Sequence, residues 1–321
     1  MISCYRYILV YVSSCIALAS PSLAAEQGVP NLVVVQGAAG QKTFRSLFSD
    51  WASNWEKLAR QNSWKYTPIS ESLSDLSAKQ QLRNAISEHP NNSTLWLVFL
   101  GHGTSTAGVN KFNLTGEDVS ASELEKWLRS VESSVILVNC SSASGGFVPL
   151  LSASNRIIVT ATQAPAEINF SRFGGFLSES ILSPQADLDH DNSVSLLEAF
   201  IEADSQTQRY YKEKSLLATE HAVLEDNGDK KGITGDFYRG ITPIKKAKSS
   251  SLAVDGQFSQ RFIISTLQGV KKLTPEEDAK RVELESAIQN LKNRKDELAQ
   301  TIYYDQLESL LLELADILCE P

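Results

Sequence analysis

Short apolar runs alternate with longer amphipathic stretches over the first half of the chain. The runs are rich in Val, Ile and Leu and are bounded by Gly, Ser or Asn, a pattern typical of buried strands. The stretches between them carry apolar residues at three- and four-residue spacing, which predicts helices. Strands that alternate with helices predict a parallel sheet with helices on both faces. We expect strands at 31–36, 64–69, 95–100, 135–139 and 156–160 and a last strand at 261–266, with helices at 43–61, at 71–88 and from Ser120 onward.

The pattern changes at Thr274, which is followed by Pro275 and Glu277. A capping residue, a proline at the first helical position and a glutamate at the third predict a helix start. Leu and Ile then recur at three-, four- and seven-residue spacing over 284–302, and a second apolar run covers 307–317. We therefore expect residues 271–321 to form a helical hairpin or short coiled coil. Such a tail could pack on the preceding domain, self-associate, or bind a partner.

Residues 1–24 have the pattern of a signal peptide. Arg6 precedes an apolar stretch, and small residues at Ser22 and Ala24 predict cleavage before Ala25. The expected product is an exported protein, periplasmic or extracellular, with one α/β domain over 25–270 and no integral membrane span. A lipid anchor at Cys15 is the alternative, since the preceding Val12-Ser13-Ser14 loosely fits a lipoprotein cleavage box.

Charge and composition limit the classes of partner and activity that this chain could have. Hydrophobic content of 42% and charged content of 21% are ordinary for a globular protein. The net charge of −8 argues against a nucleic-acid partner, because phosphate binding needs a basic surface. The loop after the first predicted strand lacks the spacing of a phosphate-binding loop, and the chain has no G-x-S-x-G serine-hydrolase elbow.

A histidine and a cysteine each follow a predicted buried strand. His102 comes just after the run at 95–100, and Cys140 directly follows the run at 135–139. In a parallel sheet such positions meet at the carboxyl edge, where a thiol nucleophile can meet its base. Of the four cysteines, Cys4 and Cys15 lie in the signal peptide, so we expect a free, reactive thiol at Cys140. A disulfide to Cys319, at the end of the tail, is the alternative. Either residue of the pair could instead be purely structural.

A second candidate site is contiguous in sequence. Residues 187–198 match the calcium-binding loop of an EF-hand, with Asn192 at the sixth position, where glycine is usual. Asn tolerates a positive φ better than most residues. The alternative is a solvated acidic turn, which we also expect for residues 225–229. The expected Ca²⁺ ligands, at loop positions 1, 3, 5, 7, 9 and 12, are Asp187, Asp189, Asp191, Ser193, Ser195 and Glu198.

The Gly-His-Gly-Thr and Asn-Cys-Ser-Ser sequences that end these two strands, with a Gly pair soon after, resemble the caspase–hemoglobinase fold. Within it, residues 31–270 look most like bacterial relatives of the legumain family of cysteine peptidases. The resemblance implies an α/β/α sandwich with a mostly parallel six-stranded sheet. It also implies His102 as general acid/base, Cys140 as nucleophile, and the N–H groups of Gly103 and Cys140 as oxyanion donors. The polar residues expected near the pocket wall, each more readily explained as structural, are Asn139, Glu167, Asn169 and Arg172.

The sequence therefore predicts an exported cysteine endopeptidase that acts on a peptide or protein substrate, stabilised by a calcium loop. Two alternatives remain open. One is a catalytically inactive relative that serves as a calcium-binding interaction module, and the other is a transpeptidase or ligase that uses the same His–Cys pair.

Overall fold

The computed structural model describes residues 28–70, 76–244, 254–266 and 273–318. The predicted signal peptide, Cys15 and Cys319 lie outside the described residues, as does the start of the helix predicted at 71–88. The strands are β1 (Asn31–Gln36), β2 (Lys65–Ile69), β3 (Leu95–Leu100), β4 (Gly103–Thr106), β5 (Val109–Phe112), β6 (Val119–Ser120), β7 (Val135–Asn139), β8 (Arg156–Thr160), β9 (Ser193–Ser195), β10 (Val223–Glu225), β11 (Tyr238–Arg239), β12 (Thr242–Pro243) and β13 (Ile263–Thr266). The helices are α1 (Lys42–Gln61), α2 (Ala78–Ser87), α3 (Ala121–Leu128), α4 (Val148–Leu151), α5 (Phe173–Ser180), α6 (Leu196–Glu213), α7 (Pro275–Asn293) and α8 (Gln300–Leu318).

A six-stranded sheet forms the centre of the fold, in the order β10-β8-β7-β3-β1-β2. Five of its strands run parallel, and β10 pairs antiparallel with β8. This matches the expected mostly parallel sheet. The sequence did not predict the sixth strand, β10. It has only three residues, too few for its apolar pattern to be recognised beside the acidic residues that follow it.

Helices cover both faces of this sheet. Alternate residues of each strand point to opposite sides, so one face packs on α1, α5 and α6 and the other on α2, α3 and α4. Trp55 of α1 and Trp96 of β3 are buried in the first layer, and Leu82 of α2 and Phe99 of β3 in the second. The expected α/β/α sandwich is confirmed.

Capping boxes fix where several helices begin. Ser120 accepts a hydrogen bond from the Glu123 N–H, and the Glu123 carboxylate accepts one from the Ser120 N–H. The same exchange starts α2 at Ser77, α6 at Ser195 and α7 at Thr274. Each pair satisfies two backbone N–H groups that have no partner within the helix.

The strand predicted at 261–266 does not join the central sheet. It is present as β13, but it pairs antiparallel with β9, which lies inside the acidic loop of residues 187–198. The last strand of the domain therefore supports the candidate metal loop rather than the sheet.

The helical hairpin expected at the C-terminus is present. Helices α7 and α8 pack on each other, and their buried side chains are Arg281, Leu284, Ile288 and Leu291 of α7 and Tyr303 of α8. The Arg281 guanidinium bonds to Asp278 and Glu285 and to the Arg261 carbonyl, which ties α7 to the domain. Among the helices that the structure describes, none is long and apolar enough to cross a membrane.

Candidate functional site

The topology places the two candidate catalytic residues at one edge of the sheet. Strands β3 and β7 are parallel neighbours. His102 follows β3 and Cys140 follows β7, so both lie at the carboxyl ends of adjacent strands. The two residues therefore follow neighbouring strands of the sheet, as the sequence predicted.

Aromatic rings surround the His102 imidazole. The ring centroids of Phe44, Phe48 and Phe170 lie 4.9, 5.4 and 5.9 Å from that of His102. Burial lowers the pKa of His102, and the nearby Ala39 carbonyl opposes this shift. The imidazole therefore lies among aromatic rings, and burial favours its neutral form.

Cys140 is buried in the first core layer, with 1% of its surface exposed. Helix α5 covers it: a Cβ placed on Gly174 would lie 2.6 Å from the Cys140 Cβ and 3.1 Å from its Sγ. Burial, and secondly the charge of Glu220, raise the pKa of the Cys140 thiol well above its usual range. Since the thiolate is the nucleophilic form, this environment suppresses reactivity.

The structure does not join the two residues by a hydrogen bond, although both belong to its described part. Both N–H groups that were expected to act as oxyanion donors are hydrogen-bonded to acceptors within the protein. The Cys140 N–H donates to the Phe99 carbonyl at 2.9 Å. The Gly103 N–H faces the Ser142 hydroxyl oxygen at 3.3 Å. In this conformation both N–H groups have an acceptor within the protein, and the oxyanion role expected for Gly103 stays a prediction.

Ser142 contacts Gly103, the residue after His102, and the sequence did not single it out. Its hydroxyl donates to the Gly103 carbonyl at 3.2 Å and accepts from the Gly103 N–H. The contact is tight, because a Cβ on Gly103 would lie 2.3 Å from the Ser142 carbonyl oxygen. A signal was present in the run of small residues after Cys140, which lets the two backbones approach.

Two of the four polar residues expected at the pocket wall are already hydrogen-bonded through their side chains within the protein. Asn139 is fully buried and accepts from the Ser141 hydroxyl at 2.7 Å. Glu167 accepts from the Gln163 N–H at 2.9 Å and lies 2.6 Å from Nδ1 of His221. The remaining two differ: Arg172 stacks over the Tyr210 ring at 4.4 Å, and Asn169 is exposed.

Glu220 is a second residue that the sequence did not reveal. It is 3% exposed, and its carboxylate accepts from the Ser171 hydroxyl at 2.6 Å, the N–H groups of Arg172 and Phe173, and the Tyr211 hydroxyl. These donors include backbone groups at the start of α5, where a negative charge is favourable. The same helix carries Gly174, so Glu220 helps to hold the segment that covers Cys140.

The acidic loop of residues 187–198 forms a compact turn. One carboxylate oxygen from each of Asp187, Asp189 and Asp191 lies within 4.8 Å of the others. Asp187 accepts from the N–H groups of Asp191 and Asn192, both at 3.1 Å. Asn192 has a φ of +67°, the left-handed conformation that the sixth position of such a loop requires.

Glu198 closes this loop from the first turn of α6. Its carboxylate accepts from the Leu188 N–H at 2.9 Å and, through the capping box, from Ser195. Burial, and then neighbouring carboxylates, raise the pKa values of Asp189 and Glu198. Ser193 and Ser195 lie on β9, whose pairing with β13 fixes the second half of the loop. A divalent cation would fit this oxygen-rich set.

No protein-family model and no curated protein matches the sequence. Among solved structures, the crystal structure of the Drosophila initiator caspase Dronc matches with a TM-score of 0.44 and 13% identity, over 74% of this chain and 96% of the caspase chain.

Proposed function

We propose that this chain is an exported, caspase-like protein that has kept the fold without peptide hydrolysis and acts as a calcium-binding interaction module. The observation that carries the proposal is the state of Cys140. Its thiol is buried, has a raised pKa and makes no hydrogen bond to His102, a residue that the structure also describes. Nucleophilic catalysis needs the opposite arrangement, an accessible thiol beside a base.

The surrounding contacts support the same conclusion. Both N–H groups at the expected oxyanion position have acceptors in the protein. The His102 ring packs among three phenylalanine rings, and its backbone hydrogen-bond partner is Ala39. These contacts satisfy both backbone N–H groups without a substrate, whereas the buried Nδ2 of Asn139 has no hydrogen-bond partner among the residues that the structure describes.

Calcium binding by residues 187–198 is the second part of the proposal. Three carboxylates already converge within a few ångströms, and burial raises the pKa values of Asp189 and Asp191. A bound Ca²⁺ would offset their mutual repulsion. Asp187, Asp189, Asp191 and Glu198 would supply carboxylate oxygens, Ser193 its carbonyl, and Ser195 a hydroxyl or a bound water.

Thiol reactivity tests the loss of catalysis. The mature protein, with and without calcium, is treated with iodoacetamide at neutral pH, and the modified residues are mapped by mass spectrometry. We expect Cys140 to react much more slowly than a model thiol, and His102→Ala to leave that rate unchanged. Rapid labelling of Cys140 that depends on His102 would contradict the proposal.

Cysteine endopeptidase activity, or transpeptidation by the same pair, is the second candidate. The placement of His102 and Cys140 on adjacent parallel strands favours it. In that case the segment over Cys140 would have to move, and a fluorogenic peptide library would be cleaved by wild type but not by Cys140→Ala. Added amine nucleophiles would separate ligation from hydrolysis by their products.

A further inference from the structure

We infer that α8 is the middle helix of an incomplete three-helix arrangement and that its outer face binds a basic amphipathic helix of a partner protein. The inference is independent of the proposed function, because it concerns the hairpin and not the sheet edge.

Helix α8 carries two parallel lines of residues with alternating four- and three-residue spacing, the spacing of a coiled-coil seam. The first line is buried or half-buried, and it is the side that packs on α7. The second line is exposed. The first line consists of Tyr303, Leu307, Leu310, Leu314 and Ile317, and the second of Tyr304, Glu308, Leu311, Ala315 and Leu318.

The exposed line is too apolar for a solvent-facing surface. Leu311 is 47% exposed, Leu312 beside it 61%, and Tyr304 47%. Together with Leu307 and Glu308, which lie on the same helix, they form one continuous surface patch. A contiguous apolar patch on a single exposed helix is typical of a site that receives another helix.

The charge of α8 indicates which kind of helix would bind to it. Residues 300–318 contain four acidic residues and no basic residue. All four are exposed, and within the described part of the chain none forms an ion pair; they are Asp305, Glu308, Glu313 and Asp316. A second copy of α8 would oppose carboxylates to carboxylates, which is unfavourable. A helix with Lys or Arg beside its apolar stripe would complement both the apolar patch and the charge.

Two synthetic helical peptides with the same leucine heptads, one flanked by Lys and one by Glu, test the inference on the full chain. Fluorescence anisotropy should detect binding of the Lys peptide alone, weakened by salt. The double variant Leu311→Gln, Leu312→Gln should weaken it about tenfold or more, as loss of a central apolar anchor does. Leu217→Gln, a change at a residue 87% exposed elsewhere on the protein, should not.

A charge exchange makes the test specific. Asp305→Lys combined with Glu308→Lys should reduce binding of the Lys peptide and create binding of the Glu peptide. Equal binding of the two peptides to wild type would overturn the inference. So would a wild-type dimer, measured by light scattering, that Leu311→Gln with Leu312→Gln converts to a monomer, because a second copy would then be the occupant.

Discussion

The two candidate sites differ in how their polar groups are satisfied. At the sheet edge, the N–H groups of Gly103 and Cys140 already have acceptors and the thiol lies in an apolar layer. In the acidic loop, three carboxylates converge within 4.8 Å. The two backbone N–H groups of the first region are hydrogen-bonded within the protein, although the buried Nδ2 of Asn139 has no hydrogen-bond partner in the described part of the chain. The carboxylates of the second region would gain from the bound cation that we propose.

The difference has a structural origin. The loop of residues 187–198 is contiguous, so short-range N–H contacts direct its carboxylates to one centre. The His102–Cys140 pair depends on two separate loops at the ends of two strands, and the strand order fixes only where those loops begin. A site within one loop is therefore more robust to sequence change than a site shared between loops.

The largest expected effect is the stabilisation of the protein by calcium at the acidic loop, and it tests the contrast between the two sites directly. Saturating calcium should stabilise the wild-type protein, by about 2.7 kcal/mol at a free concentration of about 100 times Kd. Asp189→Asn retains the acceptor for the Asp191 N–H but loses the charge, and Glu198→Ala loses a bidentate ligand. Both should abolish the calcium-dependent rise in Tm, measured by calorimetry.

The matched control is Asp305→Asn, a change at an exposed carboxylate on α8. It should retain the full calcium effect. Absence of any calcium effect in the wild-type protein would leave residues 187–198 as a solvated acidic turn.

The next effect tests how closely α5 covers the cysteine. Gly174→Ala would place a Cβ 2.6 Å from the Cys140 Cβ and 3.0 Å from the Trp51 ring. Overpacking of this kind costs about 1–3 kcal/mol, so the urea midpoint should fall. Glu179→Ala, at an exposed position on the same helix, should change the stability by less than about 0.5 kcal/mol. Equal midpoints for the two variants would mean that α5 can move away from Cys140.

A third effect concerns a buried carboxylate outside both sites. Burial, and secondly the charges of Asp226 and Glu225, raise the pKa of Asp255 to about 8. The folded protein then holds this proton from about pH 4 to about 8 while the unfolded chain releases it near pH 3.9. Stability from this group is therefore lost as pH rises through that window.

Asp255→Asn tests this because the amide keeps an acceptor for the N–H groups of Asp226 and Asn227. The variant should be more stable than wild type at pH 8 by at least about 1.4 kcal/mol, the equivalent of one pKa unit. The advantage should vanish near pH 4. A difference that does not depend on pH would show that Asp255 is already ionised at neutral pH.

A last effect, of similar size, sharpens the comparison within the loop. Asn192 has a φ of +67°, so Asn192→Ala should cost about 1–2 kcal/mol while Asn192→Gly should be nearly neutral. Calcium affinity should follow the same order, measured by titration calorimetry. Equal stability of the two variants would mean that the loop backbone relaxes at this position.

The sequence was sufficient for the parts of the fold that long apolar runs define. The strands at 31–36, 95–100, 135–139 and 156–160 are found where they were predicted. β10 was missed because three residues carry too little pattern, and β13 was assigned to the wrong sheet because its partner, β9, lies in a loop.

For the site, the sequence predicted which strand ends carry His102 and Cys140 but not the direction of their side chains. The contacts that decide their chemistry come from distant segments: Phe170 against His102, and Gly174 and Glu220 around Cys140. No local spacing encodes such contacts. The acidic loop is different, because its expected ligands lie within twelve consecutive residues. Their positions therefore depend much less on tertiary packing.

The pairing of β9 with β13 also sets an order of assembly during synthesis. The parallel strands of the central sheet end at residue 160, whereas β13 begins at residue 263. At about 5–20 residues per second, roughly 100 further residues take about 5–20 s to leave the ribosome. A nascent chain that stops before Ile263 can thus hold the parallel strands but lacks the partner of Ser193–Ser195. The acidic loop therefore lacks the strand that pairs with its second half until the chain has been made through β13, and the calcium binding that we propose would depend on that pairing.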